Sequence, residues 1–296
     1  MSDDRPRTGS LAERVANRLG ATPKAPEPIL AEPPTAPQAP EVLTPPRIVV
    51  PPRPEAPLLE INFAKLQAAG FITPDSTRTP HTEAIRGIKR QLLKTAFPQG
   101  HKGVSGTNNH DNVIMVTSSM PGEGKTFISL NLAMSFCAER DLSVLLIDGD
   151  GHRRFLGGLL GATEGLGIVD ILVDKTLQVG ELIQRTNIPN LSFLSGGRSH
   201  PHSAELLASK QFGQLMQELA AHYPNRIIII DTPPVLASTE AVVLSGYVGQ
   251  TLVVVEKDQT TKRQLQRSLE MLDGARNVGC VLNFVPAEED FTGYGY

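Results

Sequence analysis

From Val113 onward the chain alternates short apolar runs with longer amphipathic stretches. The runs VIMVT, SVLLID, LSFLSG, RIIIID, TLVVVE and CVLNFV are strand-sized and mostly rich in β-branched residues. The stretches TFISLNLAMSFCAER, SAELLASKQFGQLMQELAAH and TKRQLQRSLEMLDGA carry helical spacing and separate most of those runs. Strands that are apolar on both faces, divided by helices, predict a mostly parallel sheet covered by helices on both sides. The predicted α/β domain spans residues 112–286, and its roughly 175 residues are enough to bury one core.

Ahead of it the pattern is different. INFAKLQAAGFITPDS and HTEAIRGIKRQLLKTAF predict helical segments within residues 58–111, interrupted at Gly70 and Pro74. PQGHKGVSGTNNHD then reads as loop. Residues 1–57 hold 14 of the 24 prolines and few large apolar side chains, which predicts a disordered, extended arm. Within that arm only SLAERVANRL, residues 10–19, has the spacing of a short amphipathic helix. Residues 287–296 are expected to form a flexible, tyrosine-bearing tail.

Charge adds one exclusion. The arm carries seven basic and seven acidic residues, so it lacks the excess of positive charge that a nucleic acid or an anionic lipid surface requires. No apolar run reaches the length of a membrane span, and no signal-peptide pattern opens the chain. The expected location is the cytoplasm. Cys137 and Cys280 fall in segments read as a buried helix and a buried strand, and are expected to be reduced core residues.

The chemistry concentrates after the first strand. VIMVT runs into SSMPGEGKT and then into an apolar helix, the setting in which a phosphate-binding loop is expected. Gly122 and Gly124 let backbone N–H groups turn toward phosphate oxygens, and the helix that follows adds its own free N–H groups. Pro121, Gly122, Glu123, Gly124, Lys125, Thr126 and Phe127 are the expected nucleotide-binding segment. Lys125 would reach the phosphates and Thr126 would offer its hydroxyl to Mg²⁺. The strict pattern asks for Gly six residues before the lysine, where this chain has Ser119.

Two further strands end in carboxylates. IIIIDTPP places Asp231 at a strand's C-terminal end, where open α/β sheets bind ligands. VLLIDGDGHRR does the same with Asp148 and Asp150, two residues apart and so on one side of an extended chain. Carboxylates converging on a phosphate site need a cation, and one can also take a proton from an attacking hydroxyl. Lys125, Asp148, Asp150 and Asp231 are the expected catalytic set, and Thr126 with the three aspartates the expected metal ligands. His200 and His202 have no third partner in the sequence that would make them a metal site.

In this order, SSMPGEGKT, LLIDGDGHRR, IIIIDTPP and a tyrosine-bearing C-terminus resemble the cytoplasmic domain of the bacterial tyrosine kinases, P-loop autokinases of exopolysaccharide loci. The resemblance covers roughly residues 61–296. AAGFITPDSTRTPHTEAIRGIKRQLL is similar to the entry segment of the stand-alone exosortase-associated type, and GGRSHPHSAELLAS to the family's Gly-Pro-Glu-Leu-Leu stretch. The resemblance implies ATP and Mg²⁺ as cofactors, Asn283 of CVLNFV as a contact to the adenine base, and Asp148 as the base for a tyrosine hydroxyl. It implies a subunit-contact motif at Glu83, Arg86 and Lys89, with Arg90 as the other register, and hence a homo-oligomeric ring. It also implies a membrane polysaccharide co-polymerase as adaptor and a cognate phosphotyrosine phosphatase. His152-Arg153-Arg154-Phe155 departs from the family's Arg-Arg-Pro.

Two of the four tyrosines, Tyr294 and Tyr296, lie in the last three residues beside glycines. A tail of about ten residues reaches at most about 35 Å, which favours a neighbouring subunit's site over its own. These two are the expected phosphoacceptors, whereas Tyr223 and Tyr247 read as packed. An ATP-gated scaffold with little kinase activity remains an alternative on sequence grounds. A ParA/MinD-type ATPase is a further one, although Ser119-Met120-Pro121 lacks the early second lysine of that group.

Overall fold

The computed structural model describes residues 58–98, 110–150, 155–162 and 165–286. The predicted arm with its helix over residues 10–19, the His152–Arg154 segment, and the tail with Tyr294 and Tyr296 lie outside them.

The described residues open with two helices, α1 (Phe63–Ala68) and α2 (Pro80–Ala96). The α/β part follows as β1 (Val113–Ser118), α3 (Lys125–Phe136), β2 (Ser143–Asp148), α4 (Phe155–Leu160), α5 (Ile168–Val173) and α6 (Val179–Leu182). Next come β3 (Gln184–Arg185), β4 (Leu191–Leu194), α7 (Ser203–Leu207) and α8 (Lys210–His222). The last elements are β5 (Arg226–Asp231), α9 (Glu240–Ser245), β6 (Gln250–Glu256), α10 (Lys262–Met271) and β7 (Val278–Asn283). Among the described residues seven strands form one sheet in the order β3-β4-β2-β5-β1-β6-β7. All pairs are parallel except β3 with β4.

The predicted α/β architecture is present, and its central strands explain the continuous apolar runs. β1 and β5 sit inside the sheet with helices over both faces, and every residue of β1 is buried. One core packs α2 and α3 against Ile114, Val116, Ile229 and Val254. The other packs α8 and α9 against Met115, Ile228, Ile230 and Val253. α3 has almost no polar face because it lies between the sheet and α2, so ten of its residues are buried.

β7 differs from the expectation. Among the described residues it is an edge strand with Val278, Cys280 and Leu282 exposed, because alternate residues there face a side that no described helix covers. Cys280 is therefore exposed rather than a core residue. Cys137, at the C-terminal end of α3, is largely enclosed, and burial pushes its thiol up to about 12.

α2 brings a second correction. Thr79 caps the helix with Pro80 in its first turn, and Thr82, Ile85, Lys89, Leu92 and Ala96 form its inner stripe. Lys89 thus points into the molecule. Its Nζ donates to Glu139 Oε1 at 2.6 Å and to the Ser135 carbonyl at 3.2 Å, near the carbonyl end of α3. A lysine so committed is not available to another subunit. Glu83, Arg86 and Arg90 stay toward solvent, with Glu83 bridging Arg86 at 2.6 Å and Arg78 at 3.2 Å.

Candidate functional site

The C-terminal ends of β1, β2 and β5 meet at the first turn of α3. The loop between β1 and α3 places Gly122 and Gly124 in left-handed conformations, with φ of 97° and 89°. A Cβ on Gly124 would also lie 2.1 Å from Asn283 Nδ2, so the position excludes a side chain twice over. Ser119, the departure from the strict pattern, is wholly buried and bonded at 2.9 Å to Ser268 Oγ of α10. Its side chain faces α10, which explains why the loop tolerates it.

Lys125 opens α3 and reaches across to Asp150, Nζ to Oδ2 at 3.0 Å, with both side chains about nine-tenths enclosed. Thr126 donates to Asp231 Oδ2 at 2.6 Å, and Ser129 lies 3.1 Å from Asp231 Oδ1. Asp148 accepts from the Asp150 and Gly157 amides at 3.2 and 3.4 Å. Asp148 and Asp231 are register partners on the adjacent strands β2 and β5. Their side chains therefore emerge on one face, about 5 Å apart at the backbone. The sequence-predicted residues Lys125, Thr126, Asp148, Asp150 and Asp231 are thus brought together. Ser129 was not anticipated; its spacing of three from Thr126 on α3 is the signal that places both hydroxyls on Asp231.

Three other residues of the expected binding set have their side chains engaged with the protein. Phe127 sends its ring to 5.0 Å from Phe71 and 5.3 Å from His81. The Glu123 side chain is buried beneath the loop. Asn283, expected at the adenine base, donates its side-chain N–H to the Glu123 carbonyl at 3.0 Å.

The donor set fits a magnesium–nucleotide complex more than a free ion. Among the described residues no three carboxylate, histidine or cysteine groups stand close enough to hold a metal by themselves. Mg²⁺ is commonly held by one or two carboxylates together with substrate phosphates and water, and Thr126 with Asp231 supplies such a partial set. A cavity of about 600 Å³ opens beside it, lined by Pro121, Asp150, Pro234, Leu236 and Met271 among others.

Burial and like charge work against ionisation of two of these aspartates. Burial, then the charges of Asp231 and Asp150, hold Asp148 up at about 7, against two amide bonds that pull it down. Burial also raises Asp231 to about 6, opposed by Lys125, Thr126 and Ser129. Both lie above the ordinary 3.8, so their contribution to stability is complete below about pH 4 and is lost as pH rises through 6 and 7. His81 and His110, lowered by burial, act in the opposite sense below their ordinary 6.5. The readout is therefore a difference. The melting temperature of Asp148→Asn minus that of wild type, without nucleotide or metal, is expected to grow from pH 5 to pH 8. A constant difference would contradict this assignment.

A family model for the AAA domain matches residues 111–276. The chain belongs to that family. The chain is 27% identical over 224 residues to the putative tyrosine-protein kinase CapB of Staphylococcus aureus, covering 75% of this chain and 92% of that protein. It is 33% identical over 232 residues to the tyrosine-protein kinase ptk of Acinetobacter johnsonii, covering 78% of this chain but 30% of that longer protein. The kinase domain of Escherichia coli tyrosine kinase ETK superposes with a TM-score of 0.60 at 25% identity, covering 78% of this chain and 97% of that one. The chain thus resembles the bacterial tyrosine kinases in sequence and in fold. Among the described residues no helix is long and apolar enough to cross a membrane.

Proposed function

We propose that this protein is an ATP-dependent protein-tyrosine autokinase, which phosphorylates Tyr294 and Tyr296 of a neighbouring copy and so regulates exopolysaccharide polymerisation and export. The observation that carries the reading is the position of Asp150, which joins Lys125 on one side and lines the cavity on the other. One carboxylate thereby connects the phosphate-binding lysine to a space with room for an aromatic ring. The kinase names of the relatives support the same reaction.

Phosphoryl transfer asks the protein mainly to position and to stabilise charge. The amides around Gly122 and Gly124, with Lys125, would cradle the phosphates of ATP. Thr126 and Asp231, with Asp150 once Lys125 has turned to the phosphates, would hold Mg²⁺ directly or through water. Bound there, Mg²⁺ would offset charge on the phosphates. Asp148 would accept the proton of the tyrosine hydroxyl as its oxygen bonds to the γ-phosphorus and ADP leaves. Tyr223 and Tyr247 are held elsewhere. Tyr223 stacks under Arg226 at 4.1 Å, and the Tyr247 ring lies on Gly213. Glu83, Arg86 and Arg90 would meet a second copy in a cytoplasmic ring, attached to the inner membrane through a co-polymerase adaptor and reset by a phosphatase.

The test is mass spectrometry of each tyrosine after incubation with Mg-ATP, with and without the cytoplasmic segment of the adaptor. Phosphate is expected on Tyr294 and Tyr296 and not on Tyr223 or Tyr247. Nucleotide binding with no phosphotyrosine in either condition would replace the kinase with a nucleotide-gated scaffold.

A further inference from the structure

We propose that Thr260 is a positioning residue for the nucleotide. Its hydroxyl draws the Glu123 carboxylate down against the protein body and so holds the phosphate loop in its binding shape. This rests on the nucleotide-binding part of the function proposed above.

A glutamate between the two loop glycines is a liability at a phosphate site, because a free carboxylate there would repel the ligand. In this structure both of its oxygens are engaged below the loop. Oε2 accepts from the Met120 N–H at 2.8 Å, and Oε1 accepts from the Thr260 hydroxyl. The direction of the second bond is fixed by its neighbour. Thr260 Oγ1 itself accepts from the Glu256 N–H at 2.9 Å, so its single hydrogen is left for Glu123.

The main chain of Glu123 is gripped as well. Its carbonyl accepts from Asn283 Nδ2 at 3.0 Å, and the main-chain carbonyl of Asn283 in turn accepts from the Lys257 N–H at 3.0 Å. The turn that presents Thr260 is built to hold this position. Asp258 is left-handed at φ 63°, and the Gln259 and Thr260 amides both return to the Glu256 carbonyl. Ser268, one helical turn and more into α10, fixes Ser119 at the start of the same loop. The loop is thus held at its beginning and middle by α10, by the turn before it and by the end of β7. With the Glu123 carbonyl committed to Asn283, the neighbouring amides are free to face the concavity where phosphate oxygens would sit.

The experiment measures ADP and ATP affinity by titration calorimetry with Mg²⁺, for wild type, Thr260→Val and Thr260→Ser, with melting temperatures alongside. Thr260→Val keeps the shape and removes the donor, and a hydrogen bond to a charged group corresponds to about tenfold or more in a binding constant. Affinity is expected to fall by that factor in Thr260→Val and to stay within about twofold in Thr260→Ser. Glu123→Gln combined with Thr260→Val is expected to cost less than the two separate losses together, because both act through one contact. A Thr260→Val protein that binds like wild type, with or without a lower melting temperature, would reduce the contact to a structural one and overturn the proposal. Absence of binding in wild type would instead remove the nucleotide reading on which it rests.

Discussion

Lys125→Met is expected to abolish tyrosine phosphorylation and to weaken ATP binding by about a hundredfold or more, since two charge-assisted bonds to phosphate would be lost. The same change carries a second effect that has to be separated from the first. Lys125 is the partner of Asp150 at 3.0 Å, with side chains only 12% and 10% exposed. Breaking an enclosed pair by removing one member costs about 3–5 kcal/mol, because the other charge stays behind. Lys125→Met should therefore melt at a lower temperature as well as fail to bind. Adding Asp150→Asn removes the stranded charge and should recover most of the melting temperature but none of the affinity. Calorimetry and thermal melts on the two variants decide it. Recovery of ATP binding in the double variant would mean that Lys125 serves only to neutralise Asp150.

The other large effect is expected at Asp148. Asp148→Asn should lower the phosphorylation rate by about 10²–10⁴, the usual contribution of a positioned general base, while ATP affinity changes little. The environment suits that role: burial and two neighbouring aspartates raise the group to about 7, where it can both hold and release a proton near neutrality. The substitution also removes an unfavourable buried charge, so the variant should be more stable than wild type in the absence of ligand. A protein that gains stability and loses rate shows that the cost of Asp148 is tolerated for function. Single-turnover kinetics beside a melt are the measurement. A rate within threefold of wild type would move the base to Asp150, which lines the cavity directly.

Much of this site was legible without coordinates, because its parts are local. A strand apolar on both faces must be central, and a carboxylate at its end must face the ligand side of a parallel sheet. Gly122 and Gly124 announce left-handed backbone, and the order strand, loop, Lys-Thr, helix follows from spacing alone. The prediction of one sheet with Asp148 and Asp231 at its active end needed no more than this.

What only the tertiary structure decided are the directions of single side chains and the contacts between distant segments. Lys89 matches an exposed motif by spacing, yet it falls on the inner stripe of α2 because Ile85 and Leu92 share that face. Phe127 follows the loop in sequence but packs on Phe71 and His81, since an aromatic ring gains more from those contacts than from water. Cys280 reads as core from its apolar neighbours and is exposed because β7 ends the sheet. Thr260 meets Glu123 across 137 positions. Periodicity and turn chemistry act over a few residues and so can be read along the chain. Which face a helix turns inward, where a sheet stops and which hydroxyl meets which carboxylate depend on the packing of all the elements together.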